Sequence, residues 1–256
     1  MRLPVLYLCA ALAASPAAAA ELLMFGEMHD QPDQQRQVAE AVQQLAGAGR
    51  LAAVVLEMAE APHTTTGLPR DATEPQVREA LRWQGWPWDA YAAVVMNAVR
   101  AGVPVLGGNL PRASLREAMR DTALDGRIDD AARTRLTEAV RVGHCHLLPA
   151  AQEPGMVRVQ VARDQSLARV AAEALHGAPP GSTVLLLAGA QHVSRDRGIP
   201  LHLAPGAATG VRVVMFGSDA DGLQADERRP AAFTPQADHC ATLRKQLKVD
   251  APPRSP

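Results

Sequence analysis

The chain has 256 residues, 47% of them hydrophobic, with 26 Lys and Arg set against 27 Asp and Glu. That length can bury a sizeable core, as one domain or as a domain with an insertion. A net charge of −1, without any block of lysines or arginines, excludes the electrostatic footprint of a nucleic-acid-binding protein.

Residues 1–20 read as a signal peptide. Arg2 precedes an apolar run too short to span a bilayer, and small residues up to Ala20 suit signal peptidase. Lipid attachment at Cys9 would need small residues before it, whereas Tyr7 and Leu8 are large, so a soluble exported protein is expected. The mature chain then keeps Cys145 and Cys240, an even count in a compartment that permits disulfides. Pairing is expected, with two separate thiols as the alternative.

Apolar runs of strand length alternate with helical patterns through the rest of the chain. Strands are expected at 22–25, 51–56, 103–106, 183–187 and 211–216. A helix should open at Pro32, with Val38, Ala41, Val42 and Leu45 at helical spacing, and end at Gly47 and Gly49. Strands without polar alternation suit a mostly parallel sheet covered by helices on both faces. Residues 111–178 hold no convincing strand but carry helical patterns at 129–142 and 159–175. The expected class is α/β, with a core of 21–110 and 179–247 and a smaller all-helical subdomain, 111–178, inserted in it. The tail 248–256, with prolines at 252, 253 and 256, is expected to be disordered.

Each expected strand is followed by groups capable of chemistry. Gly26-Glu27-Met28-His29-Asp30 follows the first, Glu57 the second, Gly107-Gly108-Asn109-Leu110-Pro111-Arg112 the third and Gly189-Ala190-Gln191-His192 the fourth. In open parallel sheets, ligands bind outside the carboxyl ends of strands, and glycines allow sharp turns and close approach. Glu27, His29, Glu57 and His192 together supply nitrogen and oxygen donors that suit a divalent metal ion. The alternative is a buried hydrogen-bonded network holding the loops. His144 and His146 flank Cys145 without a standard zinc spacing and are read as structural.

The three tryptophans, Trp83, Trp86 and Trp88, fall within a single short run that ends at Tyr91, the one tyrosine expected in the mature chain. Flat side chains can line a slot for a flat ligand, and a phenol oxygen can bind a hard metal ion. Against this, Trp88, Tyr91, Val95 and Val99 share one face of an expected helix and could simply pack it.

The residues also carry a family resemblance. Gly26-Glu27-Met28-His29-Asp30, Leu56-Glu57-Met58, Gly85-Trp86-Pro87-Trp88-Asp89-Ala90-Tyr91, Gly108-Asn109-Leu110-Pro111-Arg112, His144-Cys145, Gln160-Val161-Ala162-Arg163-Asp164 and Ala188-Gly189-Ala190-Gln191-His192 run in order through most of the chain. No single piece is specific; the ordered set resembles the ChaN-like family of haem-binding, iron-regulated bacterial proteins, within the wider erythromycin esterase and Tiki group. The resemblance implies an α/β sheet with a smaller helical part. It also implies haem binding connected with iron acquisition and haem-uptake components, a tyrosine on ferric iron, and haem held where two subunits of a homodimer meet. Carried to this chain, the ligand is Tyr91, and Trp88 is expected beside the haem; Arg112 and Arg82 are candidates to meet propionates, since a guanidinium forks onto a carboxylate, with a surface salt bridge as the favoured alternative for either. A phenolate is a hard donor that favours ferric iron. Many members are lipoproteins; this chain departs in lacking a good lipobox, so a soluble periplasmic protein is expected.

The rival expectation is a metal-dependent hydrolase of esters or peptides. In it Glu27 or Glu57 is the general base, and His29, His192 and Glu57 hold the metal. A third is a binding module whose polar cluster is structural.

Overall fold

The structure, a computed structural model, describes residues 19–205, 210–218 and 222–247. Most of the expected signal peptide, with Cys9, and the expected disordered tail lie outside these residues. In chain order the elements are β1 (Glu21–Glu27), α1 (Pro32–Gly47), β2 (Leu51–Glu60), α2 (Glu74–Ala80), α3 (Trp88–Ala101), β3 (Val105–Asn109), α4 (Leu115–Arg120), α5 (Asp130–Gly143) and α6 (Glu153–His176). There follow β4 (Thr183–Gly189), the single turn α7 (Ala190–Val193), β5 (Val211–Phe216), β6 (Glu227–Arg229) and α8 (His239–Leu247).

The strands form one sheet in the order β3-β2-β4-β1-β5-β6, and every pairing is parallel. The apolar runs of β1 and β4 are buried throughout because they occupy the middle of the sheet, with a core on each face. On one face Phe25, Val54, Leu56, Leu185 and Leu187 pack against α1 and α3. On the other, Leu22, Met24, Val55, Val184 and Leu186 pack against the second half of α6. Each such aliphatic side chain contributes roughly 1.5–3 kcal/mol on full burial. The extra edge strand β6 is Glu-Arg-Arg, a short charged segment that no hydrophobic pattern marks and that blunts the open edge.

A separate helical core joins Ala118 of α4, Leu136 and Val140 of α5, and Val157, Val159 and Val161 of α6. Helix α6 therefore serves both parts, because its first half faces this core and Leu167, Ala168 and Ala171 of its second half face the sheet. Among the described residues Cys145 and Cys240 are bonded, joining the end of α5 to α8 with Cα atoms 5.5 Å apart.

Two expectations about local structure need correction. The third strand runs from Val105 to Asn109, so Gly107 and Gly108 lie inside it. A Cβ on Gly107 would stand 2.3 Å from the Glu60 carbonyl oxygen, and one on Gly108 would stand 2.6 Å from Leu167 Cδ2. These glycines serve close packing of protein on protein rather than approach of a ligand. Glu57 likewise lies within β2, at the place where regular pairing with β3 breaks between Leu56 and Glu60.

Candidate functional site

Strand β4 stands between β1 and β2, so the carboxyl ends of these three strands bring residues distant in sequence to one place. Glu27 closes β1, Glu57 leaves the end of the β2 ladder, and Gly189 closes β4 ahead of His192. Glu27 and Glu57 are only 2% and 3% exposed. Burying such groups is costly unless they are paired and hydrogen-bonded, and both are.

Glu27 is the hub of one half of the cluster. Its Oε1 accepts from Tyr91 Oη at 2.7 Å and from His29 Nδ1 at 3.0 Å, and its Oε2 accepts from Gln35 Nε2 at 2.6 Å. The His29 proton thus sits on Nδ1, and Nε2 faces Glu57 Oε2 at 3.7 Å. Gly189 makes room for this ring, since a Cβ there would stand 2.9 Å from His29 Nε2.

In the other half, Glu57 Oε2 accepts from the Gly189 amide at 2.7 Å, while Glu57 Oε1 lies 3.5 Å from His192 Nε2. His192 Nδ1 donates to Asp164 Oδ1 at 2.6 Å. Asp164 comes from α6, so the helical part contributes a carboxylate to the strand ends. Burial pulls the pKa of His192 down, but the charges of Glu57 and Asp164 outweigh it and lift it to about 9. Burial opposes ionisation of Glu57 too, yet His192, His29 and the Gly189 amide hold it below the usual carboxylate range. For Asp164 burial prevails over the pull of His192, and its pKa rises to about 6.

These shifts set an expected pH dependence of stability. Unfolded, His192 titrates near its ordinary value of 6.5; folded, near 9. Its contribution is full below pH 6.5 and is lost as pH rises through 9, amounting to about 3 kcal/mol across that window. Asp164 changes at lower pH, between 3.8 and about 6, outside it. Urea unfolding followed from pH 6.5 to 9 checks this; an unchanged midpoint would mean that folded His192 does not keep its proton.

A cavity of about 570 Å³ opens over the cluster. Glu27, Met28, His29, Glu57, Trp86, Gly189 and His192 line it from the sheet side, and Leu136, Ala139, Val140, Gly143, His144, Arg163 and Asp164 from α5, α6 and the end of α5. The four residues expected from the strand ends, Glu27, His29, Glu57 and His192, therefore share one pocket. Among the described residues, no group of three or more His, Cys, Asp or Glu is disposed to hold a metal ion.

The aromatic run divides. Trp86 lines the cavity and stacks at a tilt on His29, with ring centroids 4.5 Å apart. Trp88 is packed in the core, donates to Glu74 Oε2 at 2.7 Å, and does not line the cavity. Tyr91 is wholly buried, its hydroxyl spent on Glu27. Burial and the Glu27 carboxylate push its phenol pKa upward, which disfavours the phenolate. Arg112 lines a smaller neighbouring cavity of about 140 Å³ and pairs with Glu60 at 3.5 Å; Arg82 lines that smaller cavity as well.

Sequence reasoning assigned no role to Gln35, Arg163 or Asp164 and read His144 as structural. Arg163 lines both cavities, and its Nε is buried without a hydrogen-bond partner. The signal available for it was the string Gln160 to Asp164 within the family resemblance; Gln35 had none, because a polar residue in the first turn of a helix usually faces water.

A protein-family model described as haem-binding uptake, Tiki superfamily, ChaN, matches residues 13–203. Among solved structures, one described as cofacial heme binding to ChaN of Campylobacter jejuni aligns with a TM-score of 0.64 and 22% identity, over 78% of this chain and 82% of that chain. At that identity the likeness speaks for the fold. The type III effector HopBA1 aligns with a TM-score of 0.45 and 15% identity, over 83% of this chain and 88% of its own. A Bacillus cereus protein aligns with a TM-score of 0.45 and 11% identity, over 78% of this chain and 66% of its own. No curated protein matches.

Proposed function

The chain belongs to the haem-binding uptake family of the Tiki superfamily that includes ChaN, and from that premise we propose that it binds ferric haem in the cavity between the ends of β1, β2 and β4 and the helices α5 and α6. The observation that carries this reading is the pairing, in one cavity, of an apolar wall of Leu136, Ala139 and Val140 with Arg163, whose buried Nε lacks an acceptor. Buried donors are nearly always satisfied, and a propionate carboxylate supplies what a guanidinium lacks. Its volume falls within the range of small-molecule sites. Trp86 offers a flat face on the opposite wall. Haem itself would supply a ferric iron able to accept a donor from the protein.

Tyr91 is sealed in this arrangement. To ligate iron its oxygen would have to leave Glu27 and reach the cavity, so its part in the proposal as the fold stands is to fix Glu27 and, through it, His29. The same reading includes export to the periplasm, a homodimer over the cavity mouth, and exchange of haem with uptake components. The Cys145–Cys240 bond suits an oxidising compartment. Met28, which lines the cavity, and Val142, next in sequence to the lining residue Gly143, are 51% and 56% exposed, apolar surface that a second copy would cover.

Titration with ferric protoporphyrin IX, with mass measured free and bound, tests the reading. Saturable binding is expected, weakened about tenfold in Arg163→Ala, the equivalent of about 1.4 kcal/mol. Esterifying both propionates should abolish that difference between wild type and variant. Absence of saturable binding to the wild type would end the proposal.

The hydrolase reading gains the His192–Asp164 pair, an arrangement that orients an imidazole. It lacks a free base, because both carboxylates expected in that role are engaged, Glu27 with Tyr91, His29 and Gln35 and Glu57 with the Gly189 amide. We rank it second.

A further inference from the structure

The smaller cavity beside the main one lies at the ends of β2 and β3 and has its own set of polar groups. Glu60 and Asn109 are register partners at the carboxyl ends of these strands, just past the break in regular pairing that follows Leu56. Such irregularities re-aim side chains, and the carboxyl ends of parallel strands are where open sheets take ligands. Glu60, Asn109, Arg82 and Arg112 line this cavity of about 140 Å³, with Met58 and Trp86 as apolar wall.

Two acceptors in it are buried and unused among the described residues. The Asn109 amide is oriented by the Glu57 carbonyl, which can only accept and therefore takes Nδ2, at 2.9 Å. Its Oδ1 is left buried with no hydrogen-bond partner. Oε1 of Glu60 is likewise buried without a hydrogen bond, because Nε of Arg112 stands 3.5 Å from it, beyond the usual bonding distance. Buried acceptors are ordinarily satisfied, and where one of them belongs to a carboxylate the donor that answers best is a charged one.

Two arginines reach the same cavity through left-handed backbone. Arg82 directly follows the cap of α2 with φ of 46°, the helix-closing position that glycine usually fills. An arginine there costs roughly 1–2 kcal/mol. Gly85, with φ of 80°, makes room for the other: a Cβ at this turn would stand 2.2 Å from Arg112 Nη2.

We propose that this cavity binds a small free α-amino acid as its zwitterion. The ammonium group donates to Glu60 Oε1 and Asn109 Oδ1, the carboxylate accepts from Arg112 and Arg82, and Met58 and Trp86 cover a short apolar side chain. At about 30 Å³ for each water in the liquid, the ligand replaces about four or five waters, which limits it to glycine, alanine or an amino acid of similar size. Arg163 stands on the boundary with the main cavity, but binding of the amino acid needs neither it nor haem.

Isothermal titration calorimetry of the haem-free protein with glycine and L-alanine tests this. Propionate and ethylamine probe the two halves of the ligand separately, and L-lactate replaces the ammonium group by a hydroxyl. Saturable binding of alanine at one site is expected, with propionate, ethylamine and lactate each weaker by tenfold or more. Glu60→Gln should weaken alanine tenfold or more and bring it level with lactate. Arg112→Gln should weaken alanine and leave ethylamine unchanged. Circular dichroism verifies the fold of both variants, and the ligand series on wild type decides the matter without them. Absence of saturable binding of glycine and alanine to wild type would overturn the site. Lactate or propionate binding more tightly than alanine would overturn the amino-acid assignment, and so would alanine binding unchanged in both variants. None of these results bears on haem binding, which is titrated separately.

Discussion

Replacement of Glu57 by alanine is expected to destabilise the fold by about 3–5 kcal/mol, the usual cost of removing one partner from a buried charged cluster. Three groups would lose their counterpart at once: the Gly189 amide that donates at 2.7 Å, and the imidazoles of His29 and His192 at 3.7 and 3.5 Å. Water cannot replace the carboxylate cheaply because the position is 3% exposed. Glu57→Gln keeps the shape and an acceptor for Gly189 but removes the charge, so a smaller loss is expected. In that variant the fall in stability between pH 6.5 and 9 should also shrink, since Glu57 is the foremost charge raising the His192 pKa. Denaturant unfolding of both variants measures the difference. A loss below about 1 kcal/mol for the alanine variant would show that the cluster is solvated and loosely held.

Removal of the Cys145–Cys240 bond is expected to cost about 4–5 kcal/mol on the chain-entropy account, because the bond closes a loop between residues 95 apart in sequence. The enclosed segment includes α6, β4 and β5, so the constraint acts on both the helical core and the sheet. A doubly substituted Cys145→Ser, Cys240→Ser protein should unfold at a lower denaturant concentration than the oxidised parent and match the parent after reduction. Protein beginning at Glu21 should show no free thiol when unfolded without reductant. Two reactive thiols under those conditions would refute the bond.

The parallel α/β sheet was legible because its strands are continuous apolar runs, and such runs survive only where both faces are covered. β6 was not, since Glu-Arg-Arg at an edge has no hydrophobic pattern to read. The convergence of Glu27, His29, Glu57 and His192 was legible for a related reason: Glu27 ends a buried strand, His29 and His192 follow one, Glu57 directly follows the apolar run of β2, and parallel strands share one carboxyl end. Tyr91 and Trp88 were harder. Their spacing marks one helical face, but a helical face that packs a core and one that lines a cavity have the same period, and only the position of α3 against α1 and the sheet placed both residues in the core. Arg163 and Asp164 carry no periodic signal of their own. Their neighbourhood arises because α6 is long enough to serve two cores and passes the strand ends between them.

By itself the sequence determined what depends on nearest neighbours: the strands and helices, the apolar character of the sheet, the even pair of cysteines, and the family through an ordered set of short motifs. Only the tertiary structure decided which atoms meet. The order β3-β2-β4-β1 sets Glu27 and Glu57 on either side of Gly189, and a hydrogen bond links Tyr91 to a carboxylate 64 residues away. The tautomer of His144, too, is fixed by a carbonyl that is within reach only once α5 has formed. Strand order, register and ring orientation are set by the packing of whole elements against one another, and that packing is not written in any short stretch of chain.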